Sequence, residues 1–327
     1  MARIGITGAT GFVGGALVPR LLRQGHDLLL LDDRSGPVRV EPEGATALDL
    51  DFASDAALRV LSNADVILHL GAVSGVMVCA RDPEGSARRN VEGTRRLYAM
   101  CRERKIPAAF ASSLSVVGAP DRFPIGEDTP ARPTHEYARQ KAAGEALTRE
   151  LSDLGDVPTA VLRQSNVYGG YEASGRWITK SNVLELFARQ AARGVLEVNA
   201  PGTQRRDFVH LDDVLSHWEA TVDFLRRPST PAAASVFNVA SGETRSVREL
   251  AELVARAYAK AHPDRAPLRI EVVPNPRGGI ELVEPDFETA RAMTERLLGV
   301  KILHHLPDEI PRILDLAGLG ARAPGAA

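Results

Sequence analysis

Cysteine is nearly absent: the 327 residues hold two, Cys79 and Cys101. That excludes a disulfide framework and any cysteine-based metal spacing, so no metal site is expected and a reduced, cytoplasmic setting fits best. No apolar run is long enough to span a bilayer. The first residues, Met1-Ala2-Arg3-Ile4, lead straight into a predicted strand, so no signal peptide is expected. Charge of one sign is not in excess either. The formal net charge is −2 and the basic residues are spread out, which argues against a nucleic-acid surface. Lysine is scarce in a more telling way: five lysines stand against thirty-five arginines. Where a plain positive charge suffices this chain uses Arg, so a Lys at a key position is informative.

What is present is a regular alternation. Apolar runs at 4–6, 28–31, 66–68, 108–111 and 159–162 read as buried strands. Helical patterns at 12–23, 91–104 and 135–151 separate them, and Gly25 stops the first. This β-α-β order predicts an α/β fold: a Rossmann-type, doubly wound parallel sheet with right-handed crossovers. Beyond Asn166 glycine and proline break the pattern, which predicts a smaller C-terminal α/β substrate lobe. The expected division is a dinucleotide-binding domain over 1–165 and a lobe over 166–317. Segments near 207–220 and 236–240 are expected to return to the main sheet, with 208–215 and 237–239 as strands. The stretch 226–234 reads as a loop and 318–327 as a flexible tail.

Thr7-Gly8-Ala9-Thr10-Gly11-Phe12-Val13-Gly14 lies between the first strand and first helix. Glycines there permit a tight turn and let backbone N–H groups and the helix N-terminus approach a pyrophosphate. Asp32 lies 24 residues past Gly8, near the offset of ~20 for an acid that binds a ribose diol. An acid there repels a 2′-phosphate, so NAD is expected over NADP. Asp33 is the alternative ribose ligand, and Arg34 reads as a solvated loop charge.

Tyr137 and Lys141 are four apart and share one helix face. Of the five tyrosines only Tyr137 has Lys at that spacing. A phenol with a pKa of ~10 is a poor base near neutrality, and a nearby ammonium favours the phenolate. Lowering it by ~3 units requires ~4 kcal/mol of differential stabilisation. Ser112, Ser113 and Ser115 end the strand through Phe110, which places hydroxyls at the carboxyl edge where doubly wound folds bind ligands.

In this order the motifs resemble the extended short-chain dehydrogenase/reductase family, NAD-dependent epimerase/dehydratase branch, over nearly the whole chain. Gly8, Gly11, Phe12, Val13 and Gly14 match its glycine loop. Asp49 and Leu50 match the pair at adenine, and His69-Leu70-Gly71-Ala72 the strand end lining the cofactor. Asn90 matches a residue that orders the active site. The resemblance implies that Ser113, Tyr137 and Lys141 are catalytic, with Ser112 and Gln164 beside the cofactor. It also implies that Val76, Ser115, Asn166, Arg206 and Arg277 meet a nucleotide-sugar substrate, the two arginines at its diphosphate.

The expected activity is an NAD-dependent nucleotide-sugar epimerase, most simply a UDP-hexose 4-epimerase of the UDP-glucose/UDP-galactose type with a transient 4-keto sugar. Ser113-Leu114-Ser115 lacks the Asp-Glu pair that sugar 4,6-dehydratases use, which counts against dehydration. The alternatives are a sugar-nucleotide ketoreductase or polyol/uronate dehydrogenase and, from another class, a non-catalytic dinucleotide sensor. The family implies a homodimer through the helices at 91–104 and 135–151, with Leu97, Met100, Ala142 and Ala146 expected on their exposed faces.

Overall fold

The computed structural model describes residues 1–180, 182–275 and 288–319. Its first half follows the alternation read from the sequence. β1 (Arg3–Thr7), α1 (Phe12–Arg23), β2 (Asp27–Asp32) and β3 (Leu48–Asp49) precede α2 (Asp55–Leu61) and β4 (Val66–His69). Two short helices, α3 (Val76–Arg81) and α4 (Pro83–Ala87), lead through a π-type turn (Arg88–Gly93) into α5 (Thr94–Arg104). β5 (Ala108–Ser113), α6 (Glu136–Gly155) and β6 (Thr159–Gln164) follow. The second half opens with β7 (Asn166–Tyr168), β8 (Gly170–Ala173), β9 (Arg176–Thr179), α7 (Val183–Ala191) and β10 (Val195–Asn199). It continues with β11 (Arg205–His210), α8 (Leu211–Arg226), β12 (Ala234–Val239) and β13 (Thr244–Ser246). It ends with α9 (Val247–Ala261), β14 (Arg269–Val273) and α10 (Leu306–Leu316).

Seven parallel strands form the main sheet in the order β12-β6-β5-β4-β1-β2-β3. Side chains alternate between its faces. Val66 and Leu68 pack under α1 and α8 with Leu17, Leu21 and Trp218. Ile67, between them, packs under α2, α5 and α6 with Leu61, Leu97 and Leu151. Fully buried leucines such as Leu17 and Leu21 each contribute about 1.5–3 kcal/mol. α7, α9 and α10 share a further core around Leu184, Phe187, Leu250 and Ile310. Gly144 lets α6 settle directly on β5, since a Cβ there would lie 2.6 Å from Phe110 Cε1.

Three expectations are corrected. Residues 208–215 are not one strand: β11 ends at His210, where the imidazole Nδ1 accepts the Asp212 N–H at 3.2 Å and α8 begins. Asp212 and Asp213 in the first turn suit the positive end of that helix. β11 pairs with β7 and β13 in a separate sheet, so the segment returns to the main sheet as the covering helix α8, while β12 joins as an edge strand. Leu97 and Met100 are not on an exposed face. They are buried within the chain, and the outer face of α5 carries Arg95, Arg96 and Arg102. Leu319 is also buried, and its carbonyl lies 2.8 Å from His262 Nε2, so the described start of the expected tail is packed. The remainder of that tail lies outside the described residues. Among the described residues no helix is long and apolar enough to cross a membrane.

Candidate active site

The sheet order reverses between β1 and β4, and this is where doubly wound sheets open a crevice beyond their carboxyl ends. Gly8 follows β1 with φ +72°, and a Cβ on it would lie 2.7 Å from Gly71 N across that crevice. A Cβ on Gly14 would overlap the Gly8 carbonyl oxygen, and one on Gly11 would crowd the same atom at 3.2 Å. The loop is thus a cradle that side chains would fill, capped by the N-terminus of α1 with Phe12 buried and Val13 half-buried. Asp32 is set at the end of β2. Its Oδ2 accepts the Thr10 N–H at 3.0 Å and its Oδ1 the Arg34 N–H at 2.7 Å.

The neighbouring charges are already paired. Asp33 binds Arg89 and the Ser35 N–H, and Arg34 binds Glu41. With Arg34 so compensated, Asp32 is the acid that presents itself for a ribose diol. Asp49 is exposed and pairs in register with Asp32, and Leu50 follows half-buried. The donor set therefore fits NAD.

Behind the loop runs a buried polar chain that local sequence patterns do not disclose. The Gly71 N–H donates to Thr7 Oγ1 (3.0 Å), and the Thr7 hydroxyl is hydrogen-bonded to His69 Nδ1 (2.7 Å). The Thr94 hydroxyl donates to the Asn90 carbonyl (2.8 Å) and accepts from His69 Nε2 (2.9 Å). These partners assign a neutral, Nε2-protonated imidazole, and burial pushes its pKa down to about 3. Asn90 in turn holds Val73 by both backbone groups, at 2.8 and 2.9 Å, and donates to Gln140 Oε1 at 2.7 Å. The strand end Leu70-Gly71-Ala72 is thereby fixed to α6.

Tyr137 lies in the first turn of α6, its ring stacked on His135 at 6.2 Å. The next turn carries Lys141, whose Nζ donates to the Ala111 carbonyl at 2.7 Å and sits 5.9 Å from the Tyr137 ring centre. Ser113 ends β5 with its Oγ 3.0 Å from Ser115 Oγ. The sequence implies that the ammonium lowers the phenol pKa. In the chain alone the direction is opposite: burial raises Tyr137, while the Ser74 and Ser113 hydroxyls oppose that rise. Burial brings Lys141 down to about 8, helped by the charge of Lys180. The ammonium is committed to Ala111 O rather than to the phenol, so desolvation prevails.

Other expected residues divide. Gln164 ends β6 opposite Ser113. Ser112 is buried, and its hydroxyl donates to Glu145 Oε1 at 2.6 Å, so it faces the core. Val76 is exposed at the start of α3. Asn166 donates to the Asp207 carbonyl at 3.0 Å. Arg206 is half-buried on β11, and its guanidinium donates to the Arg205 carbonyl at 2.6 Å. Between them Asp207 is fully buried and accepts from Ser165, Ser241, Gly242 and Thr289. Burial raises its pKa against those hydrogen bonds. Arg277 lies outside the described residues.

Comparison with known proteins agrees with this geometry. The family model described as "NAD dependent epimerase/dehydratase family" matches residues 4–240. A UDP-glucose 4-epimerase of Mycolicibacterium smegmatis is 33% identical over 81% of this chain and 86% of its own length. A dTDP-6-deoxy-L-talose 4-dehydrogenase (NAD(P)(+)) of Kitasatospora kifunensis is 31% identical over 85% and 84%. A crystal structure of UDP-glucose-4-epimerase from Stenotrophomonas maltophila with bound NAD and formylated UDP-arabinopyranose is similar in fold. It superposes with a TM-score of 0.80 over 97% of this chain and 98% of that one, at 23% identity. The chain belongs to the NAD-dependent epimerase/dehydratase family and is an enzyme whose cofactor is NAD.

Proposed function

We propose that this enzyme is a nucleotide-sugar 4-epimerase acting on UDP-hexoses, with UDP-glucose and UDP-galactose the simplest pair. What carries the reading is the redox triad without acids to eliminate water. Tyr137, Ser113 and Lys141 meet at the carboxyl edge, while the positions after Ser113 hold Leu114, which is buried, and Ser115, which is bonded to Ser113. NAD, held by the glycine loop and Asp32, would supply a reversible hydride acceptor for the sugar carbon. Tyr137 Oη receives the proton of the 4-hydroxyl and returns it to the same oxygen when the hydride is delivered to the opposite face of C4. Ser113 holds that oxygen, and Lys141 binds the nicotinamide ribose and supports the phenolate. Asn166 and Arg206 serve the diphosphate. The test uses the NAD-loaded protein with UDP-glucose and no added cofactor. UDP-galactose should accumulate to an equilibrium mixture with no net formation of NADH. Conversion that consumes NAD(P)H stoichiometrically would replace the reading with net oxidoreduction, as would a 4-keto-6-deoxy product with dehydration.

The state of Lys141 gives a pH prediction. Its ammonium is present below about pH 8 and lost above it. NAD affinity of the stripped protein should therefore weaken as pH rises through 8, approaching tenfold per unit. Titration of NAD by fluorescence between pH 7 and 9.5 measures this. Lys141→Met should give a weak, flat profile, and a flat wild-type profile contradicts the role.

A further inference from the structure

Between Tyr137 and Lys141 on α6 stands Gln140, which is 3% exposed and has no part in the proposed chemistry. The protons around it fix its orientation. Asn90 Oδ1 accepts the Val73 N–H, so the two N–H groups of Asn90 Nδ2 go to the Val73 carbonyl and to Gln140 Oε1. Gln140 Nε2 therefore lies on the other side. It donates to Ser86 Oγ at 2.8 Å and to Glu136 Oε1 at 2.9 Å, with the Pro83 carbonyl at 3.3 Å. The Ser86 hydroxyl donates to the Asp82 carbonyl at 2.7 Å, so its oxygen is open to accept. One amide thus joins three segments: α6, α4 and the π-type turn that carries Asn90. A buried network with every donor placed holds a single arrangement.

What it holds is a wall of the cleft. Val73 follows β4 at the carboxyl edge, Gly75 turns the chain at φ +121°, and α3 then packs on α6. Asn90 clamps Val73 by both backbone groups, and Cys79 Sγ lies 3.6 Å from the Val73 carbonyl. The hydroxyl of Ser74, next in the chain, bonds the Tyr137 phenol. These connections close a ring. It runs from Tyr137 along one turn of α6 to Gln140, across to Asn90 and Val73, and back through Ser74. Lys141 meanwhile fixes α6 to β5, so the ring sets where the wall stands against the phenol. We propose that Gln140 is a positioning residue that keeps the 73–79 wall closed on Tyr137, so that the oxidised sugar stays in place until its hydride returns. This rests on the 4-epimerase reading and adds the residue that governs its commitment. A sugar that leaves early departs as the 4-ketone, its hydride left on the nicotinamide and its hydroxyl proton on Tyr137 Oη.

The test follows NAD-loaded wild type and Gln140→Met with UDP-glucose. Gln140→Met keeps the length of the side chain and loses the amide. Its kcat should fall about 10–100-fold with KM within about threefold of wild type, since a misplacement of ~1 Å costs on the order of 10²-fold. NAD content before turnover should match wild type. During turnover reduced nicotinamide should build up, one per ketone released, about tenfold or more above wild type for each exchange event. A merely structural role lowers the folded fraction and leaves that ratio unchanged. That outcome, or a wild-type kcat, overturns the proposal. Gln140→Asn withdraws the amide by one carbon and decides on the same readouts should Gln140→Met not fold. If wild type exchanges no isomers, the 4-epimerase reading fails by itself. The positioning role is then decided by amide hydrogen exchange of the NAD-loaded proteins. Residues 73–79 should exchange about tenfold or more faster in the variant while β5 keeps its protection, and equal protection of 73–79 overturns the role.

Discussion

Replacing Tyr137 by Phe is expected to lower turnover about 10²–10⁴-fold, the range for loss of a positioned acid–base group. The substitution deletes one oxygen. The ring remains stacked on His135, and the glycine loop, Asp32 and Lys141 are untouched. NAD content after denaturation and the thermal midpoint should therefore match wild type, and KM should change little. No neighbour can substitute. The Cys79 thiol is buried, and burial pushes its pKa up. Ser74 and Ser113 are alcohols, and the His135 Nδ1 accepts the Ala138 N–H as the helix cap. Initial rates of isomer exchange measure the effect, and near-full turnover in Tyr137→Phe would remove the proposed mechanism.

The readable features of this site are those set by local geometry. A four-residue spacing puts Tyr137 and Lys141 on one helix face whatever surrounds them. A glycine run between a strand and a helix makes the same cradle wherever it occurs. The features that escaped depend on residues far apart in the chain. Thr7 and His69, 62 positions apart, meet because β1 and β4 are adjacent, and the His69–Thr94 contact depends on α5 packing beneath them. The rise of the Tyr137 pKa in the chain without NAD is hidden from the sequence for a related reason. Sequence shows that an ammonium is near, but not that it is spent on Ala111 O or how deeply the phenol is buried. In 208–215 the apolar run suits strand and helix alike, and the cap at His210 decides.

The face of α6 that carries Tyr137 and Lys141 continues, one turn on, to Glu145, and this leads to the second large expectation. Arg163 on β6 grips Glu145 through two hydrogen bonds, Nε to Oε1 at 2.9 Å and Nη2 to Oε2 at 2.8 Å, and donates to the Thr129 carbonyl at 2.8 Å. Both side chains are 3% exposed. Arg163→Met should cost about 3–5 kcal/mol, because it leaves a buried carboxylate with the Ser112 hydroxyl as its remaining partner. In urea the midpoint should fall by on the order of 1 M or more. Arg163→Lys should rescue only part of this, since an ammonium cannot span both oxygens in the plane of a guanidinium. Arg163→Met with Glu145→Leu should recover more than half, because an apolar pair removes the stranded charge instead of exposing it. If single and double variants were equally unstable, shape rather than charge would hold α6 to β5 and β6. If the pair acts as argued, the folded fraction of Arg163→Met will also turn over more slowly at unchanged NAD content. Loosening Glu145 lets the face bearing Tyr137 shift against Ser113 while the glycine loop, on the far side of the crevice, keeps its shape.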